Sequence, residues 1–159
     1  MQKKKSFNLI KNIISIAVFV ILIYMAYTIY QKYNFNDYIK AEYNMGFSKF
    51  ERDSNVKYGN TNSYKIENTN YNDAMFYKTI NVTPDTPYKV TCKIKTQDVK
   101  TSKENTDAGA HICIKDELIK SDNVIGTTDW TEVTLYFNSK NKEKIDLGFR
   151  LGGNEDTTI

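Results

Sequence analysis

The chain has 159 residues, with 22 lysines and arginines, 19 acids and one histidine, which gives a formal net charge of +3. Four of the bases precede residue 30 and all of the acids follow it, so the rest of the chain is nearly neutral, with 18 bases against 19 acids. A nucleic-acid-binding domain needs a basic face, so this balance excludes a nucleic-acid partner from our expectations.

Residues 13–29 carry no charge and are almost entirely apolar. A helix over residues 10–31, at about 1.5 Å per residue, matches the ~30 Å hydrocarbon core of a membrane. The run is longer than the ~7–15-residue apolar core of a cleavable signal, and Ala26, which lies between Met25 and Tyr27, forms no small-x-small cleavage pair. The sequence predicts an uncleaved transmembrane anchor, with a cleaved signal peptide and a buried soluble helix as alternatives.

The charges that flank this run predict its orientation. Lys3, Lys4, Lys5 and Lys11 precede it, and no acid occurs before Asp37. Under the positive-inside rule, residues 1–9 form a basic cytoplasmic stub, and the domain that follows the anchor lies outside the cell, held as a single-pass membrane protein. Residues 32–44 form a juxtamembrane segment that could continue the helix for a turn or two.

Beyond residue 45 the apolar period changes from helical to two, which indicates β-strands. The clearest strand alternates Tyr88, Val90, Cys92 and Ile94 with polar residues. Turn signals fill Asp53–Asn62, and the charged stretch 97–107 is predicted as a loop. The predicted strands cover 46–52, 63–67, 75–82, 88–96, 109–115, a short stretch near Leu118, 130–138 and 145–151. With no second helix, residues 45–159 are predicted to form an all-β antiparallel β-sandwich.

Two cysteines, Cys92 and Cys113, could form a disulfide outside the cell. The strand phase argues against it, because Cys92 is in phase with the apolar residues of its strand whereas Cys113 is out of phase with Ile112 and Ile114. Structural zinc sites take four ligands, and His111 alone does not complete a set. We therefore expect no metal at these residues.

Two segments carry a resemblance to a known family. They read Pro-x-x-x-Tyr-x-Val-x-x-x-Ile-Lys-Thr from Pro84 and Asp-Trp-x-x-Val-x-x-x-Phe from Asp129. Residues 45–159 resemble the galactose-binding-like jelly roll of bacterial carbohydrate-binding modules. The resemblance implies non-catalytic binding of a glycan. That family usually ends with a further strand, often with an Asp that helps to hold a structural calcium. Here Gly152–Thr158 runs into the end of the sequence, so we expect a truncated sandwich and no cofactor.

Sugar recognition needs flat aromatic faces and fixed polar groups that read hydroxyls. The candidates are strand residues out of phase with the core, namely Tyr77, His111, Tyr136 and Arg150, with Thr79, Thr134 and Asp146 as neighbours. Each also has a structural interpretation: the tyrosines as half-buried sheet residues, His111 as a satisfied histidine, and Arg150 as the partner of an acid. We expect Trp130 to pack at a strand entrance.

Three functions remain open. The first is a membrane-anchored extracellular module that binds a polysaccharide, and the second is a structural or protein-interaction domain of a larger surface protein without a sugar site. The third is a small membrane-bound enzyme. Only His111 and Cys113, two residues apart on one strand face, suggest a nucleophile and its base, and no motif supplies an orienting third group. We therefore expect no enzyme.

Overall fold

A computed structural model describes residues 2–33, 37–43, 46–102 and 108–153. The chain divides into two compact units, residues 1–34 and residues 35–159. The predicted break near residues 44–45 and the loop beyond residue 153 lie outside the described residues.

The first unit is a single helix, α1 (Gln2–Tyr33). Its segment Ile13–Tyr30 has a mean hydropathy of 2.3, and none of it is buried. The helix is therefore long and apolar enough to cross a membrane. A signal sequence near an N-terminus would meet the same description.

The described part of the second unit contains eight strands. They are β1 (Ile39–Glu42), β2 (Ser48–Tyr58), β3 (Thr61–Asn68), β4 (Ala74–Asn81), β5 (Pro87–Val99), β6 (Gly109–Ile114), β7 (Gly126–Asn138) and β8 (Lys144–Gly152). One sheet has the order β1-β4-β8-β6, β2 pairs with β3, and β5 pairs with β7. Each described pairing is antiparallel. The predicted all-β sandwich behind one N-terminal helix is confirmed.

The main core lies between the four-stranded sheet and the β5–β7 pair. Strand alternation creates it, because every second residue of β7 from Val133 to Phe137 is buried, as are Ile112 and Ile114 of β6. On β7 the residues between them face away from this core, as the period of two requires, whereas β6 is buried on both of its faces. The core phase predicted for β5, β7 and β8 is thus the observed one.

A second apolar cluster lies beneath the β2–β3 pair. It contains Phe50, Ala74 and Phe76, with Tyr64 and Ile66 of β3 packed against it. Phe149 of β8 packs against both clusters. It therefore lies at the junction between the half of the sandwich covered by β2–β3 and the half covered by β5–β7.

The strands differ from the predicted ones in several places. β5 extends to Val99, into the stretch predicted as a loop, and β7 begins at Gly126, four residues earlier than predicted. β1 was not predicted and stands where we expected a continued helix; its register along β4 is a long-range pairing that no local pattern shows. β2 runs to Tyr58 through the segment predicted as a turn, and only Gly59 and Asn60 turn the chain back into β3. Near Leu118 the described residues show no strand, only single bridges to β6 from Lys120 and Val124.

Candidate functional site

The structure brings three of the four sequence-predicted site residues together. His111 of β6 pairs in register with Arg150 of β8, and Tyr77 of β4 pairs with Gly148, two residues earlier on β8. All three positions lie on the face of the four-stranded sheet that points away from Phe149. Tyr136 belongs to β7, which is in a different sheet, so the structure does not join it to the other three.

The guanidinium of Arg150 binds the buried carboxylate of Asp73. Its Nε donates a hydrogen bond to Asp73 Oδ1 at 2.7 Å and its terminal nitrogen donates to Oδ2, so the contact is bidentate. The hydrogen bonds that Arg150 donates to Asp73 raise the pKa of Arg150, and the guanidinium also lies 5.1 Å from the centre of the Tyr43 ring. Since the donors already serve an internal partner, this arginine has the geometry of a structural residue.

His111 and Cys113 are buried side by side on this face, with exposures of 2% and 4%. The Nδ1 atom of His111 lies 3.2 Å from the carbonyl oxygen of Gly109, and the Cys113 thiol contacts the Met75 sulfur at 3.7 Å. Burial raises the pKa of Cys113 to about 11. A reactive cysteine needs the opposite shift and an accessible thiol, so this pair lacks the character of a nucleophile and its base. Cys92 is also a free thiol, as the strand phase predicted.

The two tyrosines have different surroundings. Tyr77 is half-buried, with the Lys115 ammonium 5.2 Å from its ring centre. Tyr136 is 69% exposed and Lys89 lies 5.9 Å from its ring centre. Tyr136 also borders a polar hollow of about 630 Å³ between β7 and residues 120–124. Neither ring belongs to an aromatic-walled groove.

The buried side chain of Asn72 does not form a calcium site. Asn72 is fully buried; its amide nitrogen donates to Glu42 Oε2 at 3.1 Å and to Ser48 Oγ at 2.7 Å, whereas its Oδ1 has no hydrogen-bond partner. Calcium takes six to eight oxygen ligands. Here an amide nitrogen faces Glu42, and the described residues form no group of three metal-binding side chains.

The feature with the shape of a binding site is a cleft of about 900 Å³ inside the sandwich, which we call the central cleft. One wall is β3, from Thr61 to Asn68, and the other is the second half of β5, from Cys92 to Val99. Phe76, Phe149, Leu151 and Ala110 of the four-stranded sheet form its floor. Ligand pockets typically measure about 300–1,000 Å³, so the central cleft is large enough for a ligand.

A β-bulge turns Trp130 toward this cleft. The register between β5 and β7 changes from Ile94–Thr131 to Thr96–Thr128, so β7 carries one extra residue there. The hydroxyls of Thr96 and Thr128 lie 2.8 Å apart and hold the shifted pairing. An extra residue inverts which side chains of the strand point inward. Trp130 therefore points to the same side as buried Thr96 and not toward solvent.

Trp130 meets Tyr58 at one end of the cleft. Their ring centres are 5.7 Å apart in an edge-to-face arrangement, and the Lys93 ammonium lies 5.7 Å from the Tyr58 ring. The floor is also aromatic, because Phe76 and Phe149 stack at 5.1 Å and Tyr38 packs edge-on against both. The cleft therefore offers an apolar base and one end bounded by two rings.

His111 and Arg150 of the sequence-predicted residues are among those that line this cleft, but sequence reasoning missed its two strand walls and its Tyr58–Trp130 end because these depend on sheet order. Trp130 was expected to pack at a strand entrance; its partner Tyr58 stands in the segment predicted as a turn. The available signal was the presence of apolar side chains at alternate positions of β3 and β5. Their inward faces carry Tyr64, Ile66, Cys92 and Ile94. In a closed sandwich such residues are covered, whereas here they border a gap.

Comparisons with known proteins leave the family open. No protein-family model, no curated protein and no solved structure matches the chain.

Proposed function

We propose that the β-sandwich unit is a non-catalytic binding module whose binding site is the central cleft. The observation that supports this most is the cleft itself, an opening of about 900 Å³ with aromatic and aliphatic residues at its floor. Soluble domains cover most inward-facing apolar residues, and a large apolar opening marks an interaction site. The sequence candidates Arg150 and His111 have internal partners, so they support a ligand role less well.

The ligand class implied by the sequence resemblance is a polysaccharide. Tyr58 and Trp130 are the rings that support it, because a pyranose ring stacks on aromatic faces and Tyr58 is 51% exposed. Polar groups at the same end include Asn62 and Gln97. A protein-interaction role without a sugar site is the second candidate, and the strand edges of β3 and β5 that face each other across the cleft favour it.

The membrane placement is part of the proposal. We infer that α1 anchors the module as a single-pass helix with its N-terminus in the cytoplasm and the sandwich outside the cell. The support is the apolar segment Ile13–Tyr30 together with the four lysines that precede it. The module would then present the cleft to molecules outside the membrane.

A variant series on the full chain in detergent tests the site. Titration calorimetry against a panel of wall and plant-cell-wall oligosaccharides and of extended peptides would measure affinity. We expect Trp130→Ala and Tyr58→Ala to weaken binding of the active probe by about tenfold or more, because aromatic residues in a binding pocket carry much of its affinity. Tyr136→Ala, on another surface, is the control and should bind normally. Loss of binding in the control alone would refute the cleft as the site.

A further inference from the structure

We propose that the occupant of the central cleft is an extended polypeptide strand that pairs with β3 on one side and β5 on the other. The inference rests on the proposed binding role of the central cleft, and it favours the second candidate function, a protein interaction, over polysaccharide binding. It would convert two separate strand pairs, β2–β3 and β5–β7, into one continuous sheet.

The walls of the cleft are strand edges. Eight consecutive residues of β3, 61–68, and eight of β5, 92–99, line it. Side chains of a strand alternate between its two faces, so a wall that uses every residue must present the edge of the strand. In the described part of the chain the ladder partner of β3 is β2 and that of β5 is β7, which leaves the second edge of each strand toward the cleft.

The length of the two edges suits one strand of about eight residues. Both edges are eight residues long, which corresponds to about 26 Å at 3.3 Å per residue. A strand added to a sheet edge gains main-chain hydrogen bonds, and pockets for alternate side chains give selectivity. An occupant between two edges would gain those bonds on both sides, which a polysaccharide with no regular N–H and C=O ladder cannot do.

The charges favour a segment of low net charge. The three lysines of the walls already have acidic partners, at distances of 2.6–3.3 Å: Lys65 with Glu67, Lys93 with Glu132 and Lys95 with Asp129. The acids Asp53 and Asp98 accept hydrogen bonds from Asn55 and Thr127. The cleft lining carries four cationic and three acidic side chains, so its charges nearly balance and give little net attraction to a strongly charged occupant.

The floor defines the side-chain pattern of the occupant. Phe76, Phe149 and Leu151 lie beneath the gap, so every second side chain of the incoming strand meets apolar groups. The alternate side chains point to solvent and should be polar. The occupant is therefore an uncharged segment of about eight residues with alternating apolar and polar side chains.

The test uses three capped eight-residue peptides with the full chain in detergent. One alternates threonine with valine and phenylalanine. The other two have the same side chains but carry N-methyl groups on the odd or on the even residues, which removes the hydrogen-bond donors that face one edge. Trp130 is the only tryptophan, so its fluorescence reports binding. The rate at which a neutral maleimide alkylates half-exposed Cys92 is a second readout.

We expect the unmodified peptide to change Trp130 fluorescence and to slow Cys92 alkylation, and each methylated peptide to bind about tenfold more weakly or worse. Tyr136→Ala should bind like the native chain. Equal binding of all three peptides would overturn the strand model and leave the cleft as a binding site. A response to a β-1,4-linked glucose hexasaccharide but to no peptide would also overturn the strand model and leave the cleft as a binding site. No response to any probe would overturn both proposals.

Discussion

At the residue scale, Asp73 and Arg150 explain why an apparent ligand residue is structural. The carboxylate of Asp73 is 2% exposed and the guanidinium is 15% exposed, so the pair is nearly sealed from water. A charge buried without its partner is costly. The pair therefore links the segment that leads into β4 with the end of β8.

We predict that Asp73→Asn destabilises the sandwich by about 3 kcal/mol, because it leaves the Arg150 charge buried without its partner. Denaturant unfolding followed by Trp130 fluorescence would measure the loss. Lys95→Met breaks the more exposed pair with Asp129 and should cost under about 1 kcal/mol, which makes it the matched control. Equal losses of unfolding free energy in the two variants would show that the stability of the fold does not depend on pairing Arg150 with Asp73.

Cys113 predicts a pH dependence of stability. Burial raises the pKa of its thiol from 9.0 to about 11, so the folded protein disfavours the thiolate. The contribution to stability is complete below pH 9 and is lost as the pH rises through 11, in total roughly 2–3 kcal/mol. Unfolding under reducing conditions from pH 8.5 to 11 should show a steeper decline for the native chain than for Cys113→Ala. Parallel declines would contradict the assigned burial.

At the element scale, the hairpin of β2 and β3 forms one wall of the cleft and depends on its turn. Gly59 has a φ of +58°, and an added Cβ would meet nothing within 4 Å, so only backbone strain opposes a side chain there. We predict that Gly59→Ala lowers the free energy of unfolding by about 1 kcal/mol. Asn60→Ala, at a position without positive φ, should change it by less than half of that, as differential scanning calorimetry can check.

The elements predictable from sequence are those whose pattern is local. The alternation of Tyr88–Ile94 and of Val133–Phe137 depends only on the period of a half-buried strand, and both strands are observed there. The last part of β2 was hidden because Asp53 and Asn55 resemble a loop, whereas the pairing with β3 continues on both sides of the bulge between Asp53 and Lys57. β1 depends on its long-range pairing with β4.

The candidate site was harder to predict than the strands. Phase alone placed Tyr77, His111 and Arg150 correctly on one face, but phase carries no information on sheet order, and so Tyr136 was grouped with residues of another sheet. The strand phase also does not reveal which side chain a residue will pair with. Asp73 lies 77 residues from Arg150 in sequence, and no local signal joins them. The cleft required knowing that β3 and β5 face each other without pairing.

At the scale of the whole molecule, the chain separates a membrane-compatible helix from a nearly neutral sandwich. We predict that protease added to intact cells removes residues beyond about 31 and leaves the lysine-rich stub protected. Mass spectrometry of the expressed 159-residue chain should give 18.4 kDa if the helix is an uncleaved anchor. Protection of the sandwich until lysis would reverse the orientation, and a mass lower by about 3 kDa would identify a cleaved signal.

Hydrogen exchange on the full chain, with and without the unmodified eight-residue peptide, is the most direct test of the central cleft. Exchange slows where backbone amides gain hydrogen bonds or lose access to water. A ligand in the cleft should slow exchange in residues 61–68 and 92–99 together, while the surface around Tyr136 stays unchanged. Slower exchange confined to the β4 and β8 segments around Tyr77 and Arg150 would contradict the account and return the site to the outer face of the four-stranded sheet.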